Sequence, residues 1–228
     1  MHELTPNLRD IGHLPTHDGR VVAPRVVLRS AVPAAKDAGP DGLEWPPTVV
    51  IDLRSPGESE AVHPLTQPGV RVVNLPLLSA LRPGAAPIED LLGLYLSMLD
   101  QASAYLVELV REVGRAPGTT LIHCAAGKDR TGVSIALLLR LVGVSRGHVL
   151  DDYLLTSAAE REIVERLRHG AGHRHRTSLP AAFFDVSPEA LEGVLDVWDG
   201  HAAGTEGWFV EMGGSPDDVE QLRRTLLL

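Results

Sequence analysis

Cysteine is almost absent from this chain: there is one in 228 residues. A single cysteine excludes any disulfide within the chain and fits a reducing compartment. Positive charge is also short, with 21 Lys and Arg against 30 Asp and Glu and a formal charge of −9 at pH 7. That balance argues against a nucleic-acid binder or a general membrane-surface protein, since both need broad positive patches. A local positive pocket remains compatible with it. Long apolar runs are missing too. The most apolar stretch, residues 135–144, is interrupted by Arg140, and no N-terminal segment joins a basic region to an apolar one. Neither a membrane span nor a signal peptide is visible. The expectation is a cytoplasmic protein without stable membrane insertion, with secretion lacking a cleavable signal left open and oligomeric state unspecified. Internal repeats are not found.

A hydrophobic content of 44% over this length suffices for one sizeable core. The expectation is therefore a single domain over residues 1–228. Short β-rich runs bounded by Pro, Gly and charged residues occur at 26–28, 49–51, 70–75 and 121–123. Between the last two, residues 88–115 carry Leu91, Leu92, Tyr95, Leu96, Leu99, Leu106, Leu109 and Val110 at helical spacing, which predicts a long crossover helix or a helix pair. Helical patterns follow at 131–142, 146–156, 158–169, 188–201, 205–212 and 216–227. Ser187 before Pro188 reads as an N-cap with proline at the first helical position. The fold class is α/β, with a central, mostly parallel sheet flanked by helices. Three breaker-rich loops, 33–47, 79–87 and 170–180, are candidates to overhang a pocket.

The most specific segment is His123-Cys124-Ala125-Ala126-Gly127-Lys128-Asp129-Arg130-Thr131-Gly132. It follows the buried strand pattern Thr119-Thr120-Leu121-Ile122 and opens a buried helix pattern. At such a junction unpaired N–H groups and the positive end of a helix dipole converge, which suits a phosphate dianion. The amides of Ala125, Ala126, Gly127, Lys128, Asp129 and Arg130 form the candidate substrate cradle. They favour Cys124 as a thiolate, the nucleophilic form. Arg130 offers two parallel N–H bonds to phosphate oxygens, a geometry lysine cannot reproduce. Gly127 and Gly132 read as backbone necessities, for tight curvature and close helix packing. Thr131 is read both as a helix-start cap and as a donor to the departing sulfur.

The segment carries Cys-x5-Arg-Thr and resembles the phosphate-binding loop of protein tyrosine phosphatases. Its Gly-Lys-Asp-Arg-Thr-Gly portion is similar to bacterial tyrosine phosphatases whose substrates extend to phosphoserine, phosphothreonine and phosphoinositides. Asn7-Leu8-Arg9-Asp10-Ile11-Gly12, Leu28-Arg29-Ser30, Asp52-Leu53-Arg54 and Asp152-Tyr153-Leu154-Leu155 resemble further signature segments in order and spacing. The resemblance implies a cysteine-phosphatase-like fold over most of the chain. It implies hydrolysis of phosphomonoesters, phosphotyrosine above all, through a phosphocysteine, on a phosphorylated protein or phosphoinositide and with no cofactor. His123 is then a support of the loop rather than a base.

The general acid has two candidates. Many tyrosine phosphatases bring an aspartate on a Trp-Pro-Asp loop, whereas this chain has Trp45-Pro46-Pro47, without the carboxylate. Asp129 lies within the cradle, and in the similar bacterial enzymes that position protonates the leaving oxygen. Asp52 ends a strand, where an α/β sheet presents its site residues, but it also reads as a structural partner of Arg54 or of the loop backbone. Asp129 is preferred. Lys128 is assigned to the rim for a second anionic group, against a plain solvated lysine. His169, His173, Arg174, His175 and Arg176 make a cluster, but His-x-His within a Gly-rich loop reads as solvated and no metal is assigned. Two other functions compete: a rhodanese-like sulfurtransferase, which thiosulfate and cyanide would reveal, and a catalytically inactive phosphate-binding module.

Overall fold

The computed structural model describes residues 4–43, 45–79, 88–169 and 185–228. Five strands form one mixed sheet in the order β1-β2-β5-β3-β4, with β1 (Arg9–Asp10), β2 (Val27–Ser30), β3 (Val49–Asp52), β4 (Arg71–Asn74) and β5 (Thr120–His123). β1 runs antiparallel to β2, and the remaining pairs are parallel. Val49, Val50 and Ile51 in β3 and Leu121 and Ile122 in β5 are fully buried, so these strands show continuous apolar runs, as parallel strands covered on both faces do. The register sets Asp52 beside His123 and Ser30 beside His123, so the carboxyl ends of β2, β3 and β5 finish together.

The 88–115 stretch is a helix pair, α1 (Leu91–Gln101) and α2 (Ser103–Gly114), joined at Ala102. The chain then runs through β5 into α3 (Asp129–Leu141), α4 (Arg146–Leu154), α5 (Glu160–His169), α6 (Pro188–Gly200), α7 (Gly204–Glu211) and α8 (Pro216–Leu226). Side-chain caps start several of them: Asp90 accepts from the Gly93 amide at 2.7 Å, and Ser187 accepts from Ala190 at 3.2 Å ahead of Pro188.

Strand alternation divides the apolar side chains between two clusters. Val27, Val49, Ile51 and Ile122 join the large core, to which α1, α2, α3, α4, α6, α7 and α8 contribute. Leu28, Val50 and Leu121 turn to the opposite face, where they meet Leu65 and are covered by Leu8, Leu43 and Trp45. Trp45, from the loop considered a possible overhang, therefore serves packing beneath the sheet. Another part of that loop does buttress the pocket, since Asp37 takes both ends of the Arg166 guanidinium on α5 at 2.6 and 3.0 Å. The loop at 79–87 (beyond Ser79) and the segment 170–180, with His173, Arg174, His175 and Arg176, lie outside the described residues, as does the side chain of His169.

Among the described residues no helix is long and apolar enough to cross a membrane.

Candidate active site

The cradle begins where β5 ends. Cys124 is 2% exposed, and its Sγ accepts the Gly127 backbone N–H at 3.2 Å. This closure needs a left-handed backbone at Gly127, where φ is 67°. A Cβ there would also lie 2.3 Å from the Ser30 carbonyl oxygen, so no other residue fits. Two side chains hold the Gly127 carbonyl, Asn7 through Nδ2 and Arg29 through Nη2, each at 2.9 Å. Because the peptide is planar and trans, fixing that carbonyl turns the Lys128 N–H the opposite way. Arg29 is itself fully buried and is neutralised by Asp152, at 2.5 Å, which also takes Arg9 at 2.9 Å. Burial opposes the Asp152 charge, but Arg29 and Arg9 outweigh it and hold the carboxyl below its usual range.

Arg130 enters from the first turn of α3 and is 7% exposed. Nη1 donates to Glu58 Oε2 at 2.6 Å and to the Leu53 carbonyl at 3.3 Å, and Nη2 donates to Glu58 Oε1 at 2.8 Å. Burial works against the guanidinium charge, yet Cys124, Glu58 and Asp129 together raise its pKa above the ordinary value. Of its five N–H donors, Nε–H and one on Nη2 share the edge that Glu58 leaves open. That edge has the spacing for two oxygens of one phosphate. Glu58 is tied down in turn by the Ser55 backbone N–H at 3.0 Å.

Asp129 opens α3, and its Oδ1 accepts from the Tyr95 hydroxyl at 2.7 Å. Lys128 is 5% exposed, which overturns the solvated reading; Nζ donates to the Asp185 carbonyl at 2.6 Å and lies 3.5 Å from the same Oδ1. Thr131 does not cap the helix. It sits within the first turn, fully buried, and its hydroxyl meets no hydrogen-bond partner, neither an amide nor the Cys124 sulfur, among the described residues. Gly132 packs against the Tyr153 ring, whose nearest carbons would lie 2.9 and 3.0 Å from a Cβ.

Cys124, Ala125, Ala126, Lys128, Asp129 and Arg130 line one cavity of about 150 Å³. Its far side is apolar, built from Ile163, Val164 and Leu167 of α5 and from Val186.

Asp52 is not among the residues lining this cavity. Its carboxylate accepts from the Arg54 backbone N–H at 3.0 Å, from Nε at 2.9 Å and from Nη2 at 2.7 Å. Burial raises its pKa, but the His123 ring and Arg54 prevail and leave Asp52 below the usual carboxylate value. The carbonyl of Arg54 is held by Asn74 Nδ2 at 2.9 Å. His123 is fully buried behind Cys124, with Nδ1 3.1 Å from the Cys124 carbonyl and Nε2 2.9 Å from His63 Nε2. His63 Nδ1 accepts the Leu65 N–H, so the His63 proton is on Nε2; His123 Nδ1 faces a carbonyl, so its proton is there. The two neutral rings therefore complement each other. Asp52, His63 and His123 bring ligand atoms within 4.8 Å of one another, but a metal would require His63 to surrender the proton that makes this bond.

Sequence reasoning gave no role to Glu58, His63, Tyr95, Asn7, Arg29 or Asp152. The last three lie in the segments that carried the family resemblance, and Tyr95 was legible only as one apolar position of a helix.

A family model described as the tyrosine phosphatase family matches residues 2–228. Over 119 residues, half of this chain and 40% of the relative, it is 30% identical to a tyrosine-protein phosphatase of Nostoc commune. It is 31% identical over 167 residues to a candidate tyrosine-protein phosphatase of Cupriavidus necator, covering 65% of this chain and 59% of the relative. A triple specificity protein phosphatase of Mycobacterium tuberculosis is 36% identical over 78 residues, 34% of this chain and 28% of that one. The aligned region thus spans well under two thirds of each relative's length. With a matching model over nearly every residue, the chain belongs to the tyrosine phosphatase family.

Proposed function

We propose that this protein hydrolyses phosphomonoesters through a phosphocysteine, with phosphotyrosine as the main substrate and phosphoserine, phosphothreonine or phosphoinositides as further ones. The observation that carries this reading is the placement of Cys124 Sγ, the open edge of Arg130 and the Asp129 carboxyl around one cavity. The Cys124 thiolate attacks phosphorus while the oxygens sit on the cradle amides and on Arg130. The bond to the leaving oxygen breaks, and that oxygen takes a proton from Asp129. Water then attacks the phosphocysteine, gives its proton back to the Asp129 carboxylate and frees phosphate and the thiolate. No cofactor takes part. The apolar wall of Ile163, Val164, Leu167 and Val186 supports an aryl or acyl group beside the phosphate.

Asp129 is the acid in this scheme and Asp52 a support, because Asp52 is engaged by Arg54 on three donors and lies off the cavity. Thr131, whose buried hydroxyl meets no partner among the described residues, is assigned as a donor to the leaving sulfur. His123, Gly132 and Arg54 support the cradle. The large core draws on residues from Ile11 to Leu226, which favours one catalytic domain. The lone thiol favours a cytoplasmic location.

Turnover of p-nitrophenyl phosphate and of phosphotyrosine peptides tests the reading. Cys124→Ser is expected to abolish hydrolysis and still bind vanadate, whereas Arg130→Lys loses both. Hydrolysis by the serine variant within tenfold of the parent overturns the cysteine mechanism.

A further inference from the structure

Tyr95 on α1 and Tyr153 on α4 are buried, at 0% and 1% exposure, and their hydroxyls are 2.8 Å apart. A tyrosine hydroxyl has one proton to give. Tyr95 gives its proton to Asp129 Oδ1, at 2.7 Å, so the bond between the two tyrosines must be donated by Tyr153. The chain therefore has one direction, from Tyr153 through Tyr95 to Asp129. Lys128 Nζ lies 3.5 Å from the same oxygen. Among the described residues, the hydroxyl bond and the ammonium contact to the Asp129 carboxyl thus both fall on Oδ1.

We propose that Tyr95, oriented by Tyr153, is a positioning residue for Asp129, occupying Oδ1 so that Oδ2 carries the proton delivered to the leaving oxygen. This rests on the phosphatase reading above. When the phosphorus–oxygen bond breaks, the proton moves from Oδ2 to the departing oxygen and the carboxyl becomes an anion. Tyr95 keeps its own proton throughout. Its hydrogen bond now runs to a charged acceptor and strengthens, so it stabilises the state in which the proton has left. In the second step the same carboxylate, held at one oxygen, takes the proton from water at the other.

The geometry around the pair supports a dedicated arrangement. Gly132 leaves the room in which the Tyr153 ring lies against α3. The hydroxyls sit in the interior, where an unpaired donor is costly, so the direction that gives each of the two protons an acceptor is favoured.

The test is kinetic and uses two leaving groups. In Tyr95→Phe, turnover of phenyl phosphate is expected to fall about tenfold, the scale of one lost hydrogen bond to a charged group, while p-nitrophenyl phosphate, whose leaving oxygen needs little protonation, falls by less than about threefold. Vanadate affinity should stay within about twofold, since the cradle and Arg130 are untouched. In an Asp129→Asn background, Tyr95→Phe should cost nothing further with phenyl phosphate. Equal losses on both substrates, or full additivity with Asp129→Asn, would overturn the proposal, because a merely structural tyrosine behaves that way. Tyr153→Phe keeps the Tyr95–Asp129 bond but removes its orienting donor, and should show the same leaving-group preference in weaker form. It decides the matter if Tyr95→Phe melts below the assay temperature. Failure of the parent protein to hydrolyse either ester would overturn the phosphatase reading itself, and this inference with it.

Discussion

Glu58 and the Arg130 guanidinium meet end to end, with both carboxylate oxygens engaged at 2.6 and 2.8 Å. Glu58 lies in a short 3-10 turn after β3, far from the cradle in sequence, yet it decides which edge of Arg130 remains for substrate. Burial opposes its charge, but Arg130 and the Ser55 amide hold its pKa below the ordinary value, so the pair is ionic. A carboxylate in this place either orients the arginine or competes with phosphate for it. The open Nε edge favours orientation.

On the proposed phosphatase reading, replacing this carboxylate should therefore weaken turnover. Glu58→Gln is expected to lower kcat/KM for p-nitrophenyl phosphate by roughly ten- to hundredfold, because a misplaced clamp loses the reacting geometry. Vanadate should bind more weakly, as read by competitive inhibition. Tighter binding would mean that Glu58 acts as a competitor instead.

The two aspartates separate by leaving group. Asp129→Asn should cost about a hundredfold with phenyl phosphate and far less with p-nitrophenyl phosphate. Asp52→Asn should instead lower the melting temperature and affect both esters alike, since it frees Arg54 inside the fold. A selective loss in the Asp52 variant would reverse the assignment.

Asp152 is the counter-charge on which the Asn7–Arg29 grip of Gly127 depends. Asp152→Ala leaves Arg29, at 0% exposure, without its partner, and should cost about 3–5 kcal/mol in urea unfolding. A loss below about 1 kcal/mol would show that Arg29 is solvated in solution.

Acid should weaken the fold before its carboxylates titrate. Burial lowers the His123 pKa to about 4, with Arg54 and His63 adding to the effect and Asp52 and the Cys124 carbonyl opposing it. The unfolded chain binds this proton near its ordinary value of about 6.5, so between about 6.5 and 4 it holds more protons than the folded chain. The stabilisation is complete above that window and is lost as pH falls through it. Urea titrations should show a loss of roughly 2–3 kcal/mol from pH 7 to pH 4.5. His123→Asn, which retains a donor for the Cys124 carbonyl, should flatten that slope. An unchanged slope in the variant would assign the effect elsewhere.

Sequence alone determined the candidate cradle segment and its setting at a strand end. A strand pattern, a cysteine, a Gly-containing turn and Arg130 at the head of an apolar helix pattern are all local features, and the alternation of strand and helix periodicities specifies an α/β layout with the loop at a strand end. The same local logic marks Gly127 and Gly132 as positions without room for a side chain. Tertiary structure decided everything that depends on distant partners. Arg54 is already a candidate partner of Asp52 in the sequence, but only the fold forms that ion pair and sets Asp129 against Tyr95 beside the cavity. Lys128 reads in the sequence as a rim cation against a solvated lysine, and only the fold shows it buried with Nζ on the Asp185 carbonyl. Glu58, His63 and Tyr95 carry no motif, because their roles come from side-chain contacts across 72, 60 and 34 residues of chain. Such contacts leave no periodic trace in sequence; they exist only when the sheet register brings the strand ends together and the helices close over them.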